Sequence, residues 1–428
     1  MATSKMETGF SIGNSKITFG SGVTREVGYE MAQVGSKRVM VVTDPKLAHG
    51  EAVSVTLKSL SDYGIDAVLF DQVRVEPTDV SFKEAIAFAK EGQFDGYVAV
   101  GGGSSIDTAK AADLYATYPA DFLTYVNAPI GEARPVPGAL KPMVAIPTTS
   151  GTGSETTGVA IFDFLKMNTK TGISHRALQP MIGLVDPDNT RTLPKMVVAC
   201  SGFDVLCHAL ESYTALPFSE RVASSKFGTR PSYQGSNPIS DVWALRAIEL
   251  LSDNIIRAVN DKDDYEARSN MLLAATFAGV GFGNAGVHLP HGMSYPVSGM
   301  VSQFTVEGYP CGCPLVPHGM SVVLNAPAVF RFTGVANPER HLTVAKLMGA
   351  PVSNFDNQDA GSVLADEIIK LMRTLEMPNG LGAIGYMDQD VPGLVSGALP
   401  QRRVIDLSPR PVDESVLRCL FLDSMRLW

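Results

Sequence analysis

Four consecutive apolar residues fill the middle of RVMVVTD (38–44), DAVLFDQV (66–73), GYVAVGGG (96–103) and PMVAIPTT (142–149). Each run is followed by Thr, Asp, Gly or Pro. Short apolar runs bounded by turn residues predict buried strands. Between them, stretches such as VSFKEAIAFAKEG (80–92) space their apolar residues at helical intervals. Strands alternating with helices predict a parallel sheet of the α/β kind. The pattern changes after VDPDNTRTLP (185–194), where prolines and turn residues mark a boundary. Beyond it DVWALRAIELLSDNIIRAV (241–259) and YEARSNMLLAATFAGVGF (265–282) keep a helical period. The expected organisation is an α/β domain over residues 1–194 and a mostly α-helical domain over 195–428.

Composition narrows the function classes. The chain has 428 residues, 45% hydrophobic and 18% charged, with a net charge of −9. That balance fits a soluble enzyme and lacks the basic footprint that nucleic acid requires. No apolar run is long enough to span a bilayer. Five cysteines (Cys200, Cys207, Cys311, Cys313 and Cys419) follow no disulfide or zinc spacing. The expected compartment is therefore reducing. The opening MATSKMETGF has neither an apolar signal core nor an Arg-rich presequence character. The cytoplasm is expected, or the mitochondrial matrix if a presequence precedes this sequence.

The chemistry concentrates in SGFDVLCHALESY, where Asp204 and His208 stand four apart on a predicted helix and so share one face. His291 and His318 follow in HLPHGMSYP and VPHGMSVVL, and a helical reading of both stretches lets them converge on that face. One carboxylate and three imidazoles without a thiolate suit Fe(II), Zn(II), Mn(II) or Co(II). In the first half, Gly101, Gly102 and Gly103 leave a strand, and Ser104 or Ser105 is expected to cap a helix beginning near Ile106. Bare backbone at a helix start attracts phosphate, which predicts a pyrophosphate site, although G-x-G-x-x-G is absent. Asp107 in that first turn balances the helix dipole on this reading. Thr148, Thr149 and Ser154 crowd hydroxyls into PTTSGTGSETTG, which suits either a nucleotide edge or a solvated turn. Asp44 closes a strand where a carboxylate accepts from a ribose 2′-hydroxyl, favouring NAD over NADP, or else caps a helix. Arg221, Lys226 and Arg230 lie in a polar loop, PFSERVASSKFGTRPSYQGSNP (217–238), that follows the metal-helix sequence, and are expected to recognise substrate carboxylates.

Taken together, GGGSSIDTAK, PTTSGTGSE, GFDVLCHALE, HGMSYP and PHGMS resemble the iron-dependent (type III) alcohol dehydrogenases. Further stretches, including RPSYQGSNPISDVWA, GFGNAGVHLPHGMSYPVSG and LPQRRVIDLSP, resemble the hydroxyacid-oxoacid transhydrogenase branch of that family. The resemblance implies an N-terminal dinucleotide-binding α/β domain and a helical metal-binding domain, the architecture shared with dehydroquinate synthase. It also implies hydride transfer through NAD with Fe(II) or another divalent ion, from a hydroxyacid such as 4-hydroxybutyrate to an oxoacid such as 2-oxoglutarate. An ordinary NAD-linked alcohol or 4-hydroxybutyrate dehydrogenase is the alternative. By motif, the metal ligands fall on Asp204, His208, His291 and His318, and the cofactor contacts on Asp44, Gly102, Gly103, Ser104, Asp107, Thr148, Thr149 and Ser154, with Lys170 near the ribose. Tyr295 stands where many family members have a histidine, so a proton relay is expected to use His288 or Tyr295 itself. Family members are commonly oligomeric, which implies a homo-oligomer, with small-molecule substrates and no nucleic-acid or membrane partner.

Overall fold

The computed structural model describes residues 5–224, 229–309, 314–351 and 356–428. It divides into two compact units: Gly13–Leu193, and Pro194–Trp428 together with the N-terminal residues up to Ile12. The first unit contains β1 (Lys16–Phe19), α1 (Val27–Gln33), β2 (Arg38–Val42), α2 (Glu51–Asp62), β3 (Asp66–Phe70), α3 (Asp79–Gly92), β4 (Gly96–Gly101), α4 (Gly103–Thr117), β5 (Met143–Pro147), β6 (Val159–Phe164), β7 (Thr169–Ser174) and β8 (Ile182–Val185). Six of these strands form one sheet in the order β1-β8-β5-β4-β2-β3, with every pairing parallel. Strands β6 and β7 make a separate antiparallel hairpin.

The alternation of side chains explains why the strand sequences are continuously apolar. Val39 and Val41 of β2 join Val98, Val100, Val144 and Ile146 on one face, against Met31 and Leu60 of the covering helices. Met40 and Val42 join Tyr97, Ala99 and Ala145 on the other, against Phe94, Ile106 and Ala109. A strand buried on both faces has no polar side to show. Strand order reverses between β2, which has β3 on one flank, and β4 on the other. Ligands of open parallel sheets bind outside the carboxyl ends of the strands at such a reversal. The sequence reading passed over the short edge strand β1, strand β8 and the hairpin, although VAIF in β6 has the same four-residue apolar run as the strands it found.

Helix α4 starts at Gly103, with Gly102 as its N-cap and no side chain capping it, rather than near Ile106 under a serine. A side chain at Gly102 would lie 3.1 Å from the Thr149 side chain, and one at Gly103 would lie 2.6 Å from that of Thr152. The hydroxyl-rich loop after β5 thus packs onto bare backbone. Lys110, fully buried on α4, fixes that loop by donating to the carbonyls of Ser154 and Val159, both at 2.8 Å, and to the Ser154 hydroxyl at 2.6 Å. Asp107, 3.5 Å from the ammonium, accepts from the Ser154 hydroxyl and the Ile161 N–H.

The second unit is helical: α5 (Lys195–Thr214), α6 (Pro238–Asn260), α7 (Tyr265–Ala285), α8 (Leu289–Gly299), α9 (His318–Val323), α10 (Ala326–Thr333), α11 (Pro338–Leu347), α12 (Ala360–Thr374), α13 (Val391–Ala398), α14 (Arg402–Ile405) and α15 (Glu414–Asp423). Helix α5 is central and packs against α6, α7 and α9, so it is buried on nearly every side from Val198 to Thr214. Residues 5–11 belong here because they strap the 217–236 loop: Met6 bridges Val222, Glu7 pairs with Arg230, and Ser11 bonds Gln234. Among the described residues no single helix is long and apolar enough to cross a membrane.

Replacing Lys110 with Met leaves the Asp107 carboxylate without its buried cation, together with two bare carbonyls. K110M is expected to lose about 3 kcal/mol of stability, read from urea unfolding of the whole chain. A loss below about 1 kcal/mol would show that water substitutes for the ammonium.

Candidate active site

Asp204 and His208 lie one turn apart on α5, both buried, and the helices that follow bring two more imidazoles to them. One ligand atom from each of Asp204, His208, His291 and His318 falls within 4.8 Å of all the others. Asp204 Oδ1 is 3.8 Å from His208 Nε2 and 3.6 Å from the Nε2 atoms of both His291 and His318. The approach of α9 depends on Gly319, where a Cβ would sit 2.0 Å from the Cys200 carbonyl oxygen of α5. His208 is held flat between rings, 3.9 Å from Phe282 and 4.6 Å from His291.

Three of these contacts are too long for hydrogen bonds. Among the described residues, Asp204 Oδ1 and His291 Nε2 are buried without a hydrogen-bond partner. Buried polar atoms of this kind are rare unless something else satisfies them. Separations of 3.6–3.8 Å are close to the ~3.4 Å left between ligand atoms around a divalent ion with bonds near 2.1 Å. The residues therefore fit a metal. Glu211, a turn beyond His208 on α5, completes the arrangement. Its Oε1 accepts from His291 Nδ1 at 2.6 Å, which leaves Nε2 facing Asp204. Its Oε2 accepts the N–H groups of His288 at 2.7 Å and His291 at 3.4 Å, capping the first turn of α8.

The charges agree with that geometry. Burial would raise the Asp204 carboxyl, but His208, His318 and His291 hold it well below the usual carboxylate range. Burial pushes His208 down to about 3 and keeps it a neutral ligand. Burial also opposes a charge on His291, yet Glu211 and Asp204 outweigh it and raise that imidazole to about 9.

In the α/β unit the expected cofactor residues gather along the carboxyl edge of three adjacent strands: Asp44 after β2, Gly101–Gly103 after β4, and Thr148 and Thr149 after β5. The Thr148 N–H donates to the Gly101 carbonyl at 3.0 Å, tying two of these ends together. With no capping side chain, the N–H groups at the start of α4 are available to an anion. Asp44 Oδ1 accepts from the N–H groups of Lys46 and Leu47. Ser104 accepts from the Glu76 N–H at 3.3 Å. Asp107 and Ser154 bond each other and so shape the loop from inside. The ammonium of Lys170, buried, lies 2.6 Å from Glu76 and 3.1 Å from Asp163. Burial opposes its charge, but those two carboxylates hold it above the ordinary lysine value.

The profile described as iron-containing alcohol dehydrogenase matches residues 14–187, and that of the C-terminal region of the Fe-containing alcohol dehydrogenase family matches 232–425. This chain belongs to the iron-containing alcohol dehydrogenases. It is 55% identical over 421 residues to the mitochondrial hydroxyacid-oxoacid transhydrogenase of Bos taurus, an alignment covering 98% of this chain and 90% of the relative. The Homo sapiens protein of the same name is 54% identical over the same shares. Among solved structures, an alcohol dehydrogenase from Oenococcus oeni superposes with a TM-score of 0.84 at 25% identity, covering 97% of this chain and 100% of that one. Membership brings a nicotinamide cofactor and a divalent metal, and the four-residue cluster is where this member of the family would hold the ion.

The remaining expected residues are placed differently from one another. His288 is fully buried, its Nε2 3.0 Å from the Thr214 hydroxyl, and burial pushes it down to about 4 despite Glu211. Tyr295, one turn beyond His291 on α8, accepts from Arg403 at 3.3 Å. Arg221 donates to the Gln234 carbonyl, and Arg230 pairs with Glu7 and the Gly9 carbonyl. Neither is among the partners of the ligand cluster, and Lys226 lies outside the described residues. Sequence reasoning passed over Glu211, Lys110 and Arg403. Glu211 had a signal: it follows Asp204 by seven and His208 by three, the spacing of a single helix face.

Without metal, His291 holds a proton up to about pH 9, against an ordinary value of 6.5, so an incoming ion displaces it. Metal affinity is expected to rise from pH 7 toward 9 and then level off, with proton release visible as buffer-dependent calorimetric heats. A flat profile over that range contradicts the assignment. E211Q is expected to weaken the ion about 10- to 100-fold, measured as metal retained against a chelator.

Proposed function

We propose that the chain is a hydroxyacid-oxoacid transhydrogenase loaded with Fe(II) and NAD, taking a hydride from 4-hydroxybutyrate and delivering it to 2-oxoglutarate. The products are succinate semialdehyde and 2-hydroxyglutarate. The donor loses a hydride and its hydroxyl proton, and the acceptor gains both. The observation that carries this reading is the 55% identity to transhydrogenases along 98% of the chain. When bound, the metal supplies Lewis acidity toward the substrate oxygen and NAD supplies the hydride carrier.

The protein's own contribution is orientation. Glu211 keeps the Nδ1 proton of His291 and so fixes which nitrogen faces the cluster. Phe282, stacked on His208, sets that ring's plane and walls it with apolar surface. A ligand set of imidazoles and one carboxylate supports iron, and it equally accommodates zinc. The relatives' names support the mitochondrial matrix as the compartment rather than the cytoplasm.

The test incubates Fe(II)-loaded protein with 4-hydroxybutyrate and 2-oxoglutarate and no added NAD, following 2-hydroxyglutarate by mass spectrometry and NADH by absorbance. The expected outcome is 2-hydroxyglutarate without free NADH. NADH that accumulates only when NAD is added, with no 2-hydroxyglutarate, would make the chain a conventional dehydrogenase.

A further inference from the structure

Arg403 is a cation in the helical unit for which the expected chemistry has no use. It sits on α14, which packs directly on the turn of α8 that carries His291. A Cβ at Gly292 would be 3.0 Å from Ile405 and 3.3 Å from Val404. The guanidinium carbon lies 4.7 Å over the ring of Tyr233, and Nη2 donates to the Tyr295 hydroxyl at 3.3 Å. Nη1 is buried with no hydrogen-bond partner among the described residues, and no carboxylate there pairs with the side chain. A guanidinium is charged at any accessible pH, so a buried one without an anion lacks the compensation such groups normally have.

Two routes lead from this cation back to the metal cluster. Tyr295 stands one helical turn beyond His291, roughly 6 Å along α8. Tyr233 meets Phe282 at 6.5 Å between ring centroids, and Phe282 stacks on His208 at 3.9 Å. The cation is therefore linked to the ligand cluster twice, through Tyr295 on the helix of His291 and through Tyr233 and the Phe282 ring stacked on His208. In a four-carbon hydroxyacid the reacting oxygen and the far carboxylate are roughly 6 Å apart when extended, a span on the scale of the helical turn between His291 and Tyr295.

We infer that Arg403 binds the substrate carboxylate that lies three carbons from the reacting carbon. This inference rests on the transhydrogenase reading and gives it a chemical rationale. In 4-hydroxybutyrate the carboxylate is three carbons from the carbinol. In 2-oxoglutarate the distal carboxylate is three carbons from the ketone. One fixed fork thus serves donor and acceptor in turn, with the reacting carbon brought to the same place. The tyrosines keep the guanidinium plane oriented, and the planar fork suits bidentate recognition. Arg221 and Arg230, held by Gln234, Glu7 and Gly9, are then structural.

The test compares wild type, R403Q and R403K with two matched pairs: 2-oxoglutarate against 2-oxopentanoate, and 4-hydroxybutyrate against butan-1-ol. Each second compound replaces the distal carboxylate with a methyl group. In R403Q the kcat/KM ratio within each pair is expected to fall about 10- to 100-fold, and calorimetric affinity for 2-oxoglutarate to fall with it. R403K, which keeps the charge but not the fork, is expected to fall less, and it decides the matter if R403Q does not fold. Ratios that stay at the wild-type value overturn the inference, whether the activities hold or decline together. If the wild type forms no 2-hydroxyglutarate, the transhydrogenase reading fails, and the 4-hydroxybutyrate pair still rules on Arg403.

Discussion

Glu211 commits both carboxylate oxygens to α8, one to the imidazole of His291 and the other to the backbone of His288 and His291. The geometry of the cluster follows from that commitment. Asp204 and His208 need only the regularity of α5 to stand together. His291 comes from a different helix, whose entry angle and ring orientation are both set by Glu211. Burying such a carboxylate costs several kcal/mol unless it is fully hydrogen-bonded and faces positive charge, and here it has both. The site is thus rigid through its second layer of contacts, and the nitrogen of His291 that keeps its proton is fixed before any ion arrives.

The α/β unit meets a similar problem with the opposite sign. Lys110 is buried beneath the turn that the sequence marks as phosphate-binding, and it is satisfied by carbonyls, a hydroxyl and Asp107. The glycines above it are free of side chains because Thr149 and Thr152 occupy that space. A bare helix start and a loop pinned from below by a buried cation are two halves of one solution. Backbone N–H groups stay open to an anion while the loop beside them cannot drift.

Much of this was legible. The apolar runs located β2, β3, β4 and β5, because strands buried on both faces leave no polar interruptions. The i, i+4 pair on α5 announced the carboxylate–imidazole cluster, and the glycine run announced the bare backbone at the start of α4. What escaped the sequence depends on contacts between distant segments. Gly102 caps α4 because of a threonine 47 residues on, which no local serine rule anticipates. The polar 217–238 loop advertised its cations, but residues 5–11 fold back to take up Arg230, and a strap across more than 200 residues has no local signature. Arg403 lay in plain view in LPQRRVIDLSP, but two adjacent arginines in a short helix do not say which one turns inward, and its meaning comes from the rings around it.

That strap also bears on how the polypeptide is made. Residues 13–193 form a unit from one uninterrupted stretch, so all of its strands are present once roughly half the chain has been synthesised. The helical unit is discontinuous, since residues up to Ile12 leave the ribosome before the α/β unit and its helices leave after it. Nascent domains generally fold as units in order of emergence. Residues 5–11 must therefore wait unpaired until the 217–236 loop has been made, and the ligand cluster is completed later still, when His318 follows.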